Sequence, residues 1–84
     1  MEKSVHSHEY ETMVMLLREL REKAGLTQVT LAEKLGQSQS FVSKIERGER
    51  RLDIIQLRQI CHVLGVALPA FAKLLEQRLA ARRK

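Results

Sequence analysis

The residues best equipped for chemistry are polar and closely spaced: Gln37, Gln39, Ser40, Ser43, Lys44 and Arg47, with Arg50 and Arg51 just beyond. Amides, hydroxyls and a flexible ammonium match hydrogen-bond donors and acceptors. On the outer face of a helix they suit base edges in the major groove of DNA, which just admits a helix. Catalysis needs other equipment, and the sequence has no nucleophile-base pair, no paired-carboxylate arrangement and no glycine-rich phosphate loop. An enzyme is therefore not expected. His6 and His8 form an HSH segment, yet no Cys, His or carboxylate cluster with ligand spacing follows. They read as part of a solvated arm, with no metal and no cofactor. His62 reads as an exposed or partly covered helix residue.

The charge distribution points the same way. The net charge is +5, but residues 1–36 hold 5 Lys or Arg against 6 Asp or Glu, whereas residues 37–84 hold 10 against 4. The positive excess thus lies in the half that carries the polar cluster. It fits a polyanionic partner such as nucleic acid better than a face that only confers solubility.

Those side chains need a scaffold, and 84 residues with 44% hydrophobic and 30% charged content allow one small globular core. Tyr10, Phe41 and Phe71 are the only aromatics, so the core must be aliphatic, and no segment alternates with period two. An all-α fold follows. Gly25, Gly36, Gly48 and Gly65 each close a stretch with helical spacing, which implies about five helices.

The first helix is predicted from near Glu9 to Lys23, with Tyr10, Met13, Val14, Leu17 and Leu20 inward. Thr27 caps a second helix with Val29, Leu31, Ala32 and Leu35 inward. Ser38 caps a third, through Glu46 or Arg47, that buries Phe41, Val42 and Ile45. Asp53 caps a fourth with Ile54, Leu57, Ile60, Cys61 and Leu64 inward. A fifth starts near Leu68, with Pro69 in its first turn. The expected organisation is a flexible arm over residues 1–8, one domain over 9–79 and a fraying basic tail over 80–84.

Cys61 is the only cysteine, which excludes an internal disulfide and fits a reducing compartment as a small buried thiol. The N-terminus lacks the apolar core of a signal peptide. No uninterrupted apolar stretch approaches the roughly 20 residues that span a bilayer. A cytoplasmic protein without a membrane partner is expected.

Only Gly36, Gln37 and Ser38 separate the second and third helices, so the chain must turn sharply there, and Ala32 is small enough for close approach. The two helices form a helix-turn-helix. Residues TQVTLAEKLGQSQSFVSKIERGER, with LRELREKAGLTQ before them and LDIIQLRQICHVLGVAL after, resemble the phage-repressor-like, or xenobiotic-response-element-type, helix-turn-helix regulators. The resemblance covers Leu17 to about Leu75, with landmarks at Arg21, Gly25, Thr27, Gln28, Leu31, Ala32, Gly36, Ser43, Ile45, Glu46 and Gly48.

The resemblance implies a compact five-helix, lambda-repressor-like fold and a sequence-specific transcriptional regulator, in the simplest case a repressor, that binds double-stranded DNA. Gln39, Ser40 and Lys44 would face base edges, with Gln39 the foremost reader. Ser43 would support a base or phosphate contact, and Gln37, where the family usually has a small aliphatic residue, would add a polar group near the DNA. Gln28, Ser38, Arg47, Arg50 and Arg51 would hold phosphates, Ser38 chiefly as a cap. Arg21 and Glu46 would form a structural ion pair. The family usually binds as homodimers on pseudo-palindromic operators with half-sites roughly 34 Å apart. Phe71, Leu74, Leu75 and Leu79 are the candidate dimer interface. Within the same fold the alternatives are a restriction-modification controller or an autoregulating antitoxin. A protein-interaction module without DNA binding would favour apolar anchors at Gln39, Ser40, Ser43 and Lys44, which are all polar here.

Overall fold

The computed structural model describes residues 7–82, and these contain five α-helices and no strand. They are α1 (His8–Lys23), α2 (Gln28–Leu35), α3 (Gln39–Glu46), α4 (Ile54–Leu64) and α5 (Leu68–Arg82). His6 lies outside the described residues.

Side-chain caps set the helix starts. Thr27, Ser38 and Asp53 accept from the backbone N–H three residues on, as their oxygen chemistry predicts, and Ser7 does the same for α1. Asp53 and Gln56 complete a reciprocal capping box. Gly36 sets the turn between α2 and α3. Its φ of 70° is left-handed, and Gln37 N–H closes back on the Ala32 carbonyl at 2.9 Å. A Cβ at Gly36 would meet nothing within 4 Å, so the constraint is the backbone conformation alone.

The core gathers Val14, Leu16 and Leu17 of α1, Leu31 and Ala32 of α2, Val42 and Ile45 of α3, Ile60, Cys61 and Leu64 of α4, and Phe71 of α5. Helix α1 packs on both α3 and α5, while α4 packs on α2 and turns by 99° into α5. Having two neighbours widens the buried face of α1, which explains why Leu16 is buried beside the expected stripe. An Arg78–Glu19 ion pair of 2.9 Å also ties α5 to α1.

Three expectations are corrected. Val29 is 51% exposed, because the inward side of α2 is Gln28, Leu31, Ala32 and Leu35, spaced at three, four and seven. Ile54 is 61% exposed: the packed side of α4 runs from Leu57 to Leu64, and Ile54 precedes it in the first turn. Phe71 is only 1% exposed, a central core side chain, and so is unavailable to a partner. Of the other candidate interface residues, Leu74 is exposed, Leu75 packs against the core, and Leu79 is half-buried beside Tyr10 and Met13. Helix α5 also continues through Ala80 and Ala81 to Arg82, into the segment expected to fray. No single described helix is long and apolar enough to cross a membrane.

Candidate nucleic-acid interface

The site begins with a charged pair inside the fold. Arg21 of α1 donates from Nε to Glu46 Oε2 at 2.7 Å and from Nη2 to Oε1 at 3.1 Å. Both side chains are nearly buried, 9% and 6% exposed. The hydrogen bonds it donates to Glu46 hold the guanidinium above its usual pKa, against the opposing effect of burial. Arg21 Nη1 also donates to the Leu26 carbonyl at 2.7 Å, which fixes the turn into α2. The pair expected from Arg21 and Glu46 is therefore present, and it joins α1, the α1–α2 turn and the end of α3.

The pair extends outward through two amides. Gln28 Nε2 donates to Glu46 Oε1 at 2.9 Å, and Gln39 Nε2 donates to Gln28 Oε1 at 2.8 Å. A carboxylate only accepts, so Gln28 must turn its nitrogen inward and its oxygen outward. Gln39 must in turn meet that oxygen with nitrogen. The remaining N–H and the Oε1 of Gln39 stay available at the surface, a donor and an acceptor side by side. Adenine presents the complementary pair in the major groove.

Beside Gln39 runs a shallow groove lined by Gln37, Ser38, Ser40, Phe41, Lys44 and Arg50. It holds two cations and no acid. The Arg50 guanidinium lies 4.9 Å from the Phe41 ring centroid, close enough for a cation–π contact. Ser38 Oγ accepts from Phe41 N–H at 3.2 Å and keeps its own hydrogen for donation outward. Most expected contact residues thus share one face built on the start of α3.

Two arginines stand apart from it. Arg47 is held by Glu49, with Nε and Nη2 each 3.1 Å from a carboxylate oxygen, and it donates from Nη1 to Ser43 Oγ. The Glu49 hydrogen bonds raise its pKa, so it stays charged but is already partnered. Arg51 lies over the Tyr10 ring, 5.6 Å from the centroid, in a cleft with Glu9, Met13, Leu75, Glu76 and Leu79. The structure therefore does not bring Arg51 into the groove that Arg50 shares with Lys44: Arg50 lies over Phe41 and Arg51 over Tyr10.

Sequence reasoning missed Tyr10 as part of this architecture. Its hydroxyl donates to the Arg50 carbonyl and accepts from Leu52 N–H, both at 3.0 Å. No local signal marks contacts across 40 and 42 residues of chain. Cys61 is a buried free thiol, pushed up to about 11 by burial. Among the described residues, no group of three or more potential metal ligands is assembled.

Comparison with known proteins places this geometry in context. A family model described as Helix-turn-helix matches residues 17–71. The chain is 40% identical over 48 residues to the HTH-type transcriptional regulator y4dJ of Sinorhizobium fredii, a match that covers 57% of this chain and 62% of that relative. It therefore spans less than two thirds of that protein. Among solved structures, an XRE-family like protein from Pseudomonas syringae pv. tomato is 43% identical with a TM-score of 0.81, over 89% of this chain and 92% of that one. The restriction-modification controller protein C.Esp1396I, solved as a tetramer with its natural 35 base-pair operator, is 29% identical with a TM-score of 0.78, over 86% of this chain and 95% of that one.

Proposed function

The chain belongs to the XRE-type helix-turn-helix family, and from that premise we propose that it is a double-stranded DNA-binding transcriptional regulator that reads the major groove with α3. The observation that carries this reading is the chain of hydrogen bonds from buried Arg21 and Glu46 through Gln28 to exposed Gln39. It holds a bidentate amide at the start of α3 in a defined orientation. Base discrimination needs such preorganisation, since a freely rotating amide loses entropy on binding and presents either end.

Gln39 is the principal base reader in this proposal, with Ser40, Lys44 and Gln37 beside it and Ser43 in support. Arg50 and the Ser38 hydroxyl hold phosphates, whereas Gln28, whose outward oxygen is an acceptor already bonded to Gln39, orients Gln39 instead of gripping the DNA backbone. Arg47 joins them once DNA competes it away from Glu49. Arg51 contributes general positive potential from the far side of the loop.

The protein acts as a homodimer on a pseudo-palindromic operator in the cytoplasm, and repression by occupying a promoter is the simplest outcome. Leu74 is the exposed centre of the proposed dimer contact on α5, with Leu75 and Leu79 at its margin. A controller role in a restriction-modification system is the second reading, supported by the likeness to C.Esp1396I over nearly the whole of both chains.

The test is equilibrium binding of the purified protein to duplexes recovered from a random pool, against excess bulk competitor DNA over a salt series. A preferred duplex that survives competition, with affinity falling steeply as salt rises, supports the reading. Equal binding to all duplexes at moderate ionic strength overturns it.

A further inference from the structure

The loop from Arg47 to Asp53 carries Arg50 and Arg51 outside any helix, so helical hydrogen bonds do not determine their directions. One side chain from α1, distant only in sequence, supplies what the loop lacks. Tyr10, in the first turn of α1, donates its hydroxyl hydrogen to the Arg50 carbonyl and accepts the Leu52 N–H, both at 3.0 Å. The same ring lies under the Arg51 guanidinium at 5.6 Å. Tyr10 thus holds the backbone on both sides of Arg51 and keeps Arg51 on the α1 side. Arg50 consequently leaves the loop on the other side, where it lies over Phe41 and lines the groove with Lys44 and Ser40.

We propose that Tyr10 is a positioning residue for phosphate binding: by holding the Arg50 carbonyl and the Leu52 amide, it aims Arg50 at the DNA backbone beside α3. The inference rests on the DNA-binding reading and adds to it a residue from α1, outside the helix-turn-helix. Its chemistry suits the task. Burial raises the phenol above its usual pKa, outweighing the lowering effects of the Leu52 N–H and of Arg51. The hydroxyl therefore remains a donor at neutral pH.

The test is a double-mutant cycle of Tyr10→Phe and Arg50→Ala, read as affinity over a salt series on the preferred duplex and on unrelated duplexes. Tyr10→Phe keeps the ring under Arg51 and removes only the hydroxyl. Thermal melts of every variant set an assay temperature at which all are folded. The expected result is about three- to tenfold weaker binding to every duplex, the scale of one or two hydrogen bonds, with the order of preferred sequences unchanged. The salt dependence should flatten by up to about one phosphate contact. With Arg50→Ala already present, loss of the hydroxyl should cost no further affinity.

A hydroxyl that serves only the fold would lower the melting midpoint but leave the salt dependence at its wild-type value. Its effect would also be the same with or without Arg50. Either result overturns the inference while leaving the DNA-binding reading intact. Failure of the unmodified protein to prefer any duplex overturns that reading itself.

Discussion

Gln39 donates its Nε2 hydrogen to Oε1 of Gln28 across 2.8 Å, so the first side chain of α3 is held by the first side chain of α2. Gln28 is itself oriented by the buried Glu46 carboxylate at 2.9 Å. Removing Gln28 should therefore change what Gln39 reads although Gln39 is intact. Gln28→Ala is expected to lower discrimination at the base pair contacted by Gln39 by about 1 to 3 kcal/mol, the worth of one good bidentate contact. Binding to single-position variants of the preferred site measures it.

Glu46 lies at the inner end of the same chain, where its loss should act on stability first. Glu46→Ala leaves the Arg21 guanidinium, only 9% exposed as a side chain, without its carboxylate. Stranding one member of a buried pair costs about 3 to 5 kcal/mol. Urea denaturation should show that loss, whereas exposed Gln39→Ala should stay within about 0.5 kcal/mol of the unmodified protein. An unchanged midpoint for Glu46→Ala would show that the pair does not support the fold.

Arg47 and Glu49 form an exposed clasp in which the carboxylate occupies the guanidinium face that a phosphate would take. Glu49→Gln is expected to raise affinity severalfold for all duplexes alike at low salt, since it removes a competing charge from beside the DNA. Filter binding on specific and unrelated duplexes would show equal gains. Weaker binding would mean that Glu49 positions Arg47 rather than occupying it.

Cys61 links stability to pH. Its thiol is raised from 9.0 to about 11 in the fold because burial disfavours the thiolate. Between those values the unfolded chain releases this proton and the folded chain keeps it, so stability falls as pH rises through that window. Urea midpoints measured from pH 8 to 11 should drop more steeply for the unmodified protein than for Cys61→Ala. Alkylation of the native thiol at neutral pH should be slow for the same reason.

Much of this was legible in the chain because it is local. The oxygen caps Thr27, Ser38 and Asp53, the left-handed Gly36 and the polar outer face of α3 act within three or four residues, so their spacing announces them. The errors lie where neighbours decide. Val29 and Gln28 differ by one position, and only packing against α3 shows which faces inward. Phe71 sits on a helix whose apolar residues outnumber any single stripe, so which of them enters the core depends on where α1 and α4 meet it. Arg50 and Arg51 are adjacent and chemically equal, and what distinguishes them is contact with residues distant in the chain or in another helix, Arg51 with the Tyr10 ring and Arg50 with Phe41. Arg21 and Glu46, a long-range contact, were legible only through resemblance to known regulators.

The central claim is that base choice and backbone grip reside in different side chains of one face. Selection of bound duplexes from a random pool, run in parallel on the unmodified protein, Gln39→Ala and Arg50→Ala, tests it most directly. The account predicts that Gln39→Ala alters the selected sequence, while Arg50→Ala recovers the original sequence with weaker, less salt-sensitive binding. Recovery of the original sequence by Gln39→Ala, or a new sequence from Arg50→Ala, would contradict it.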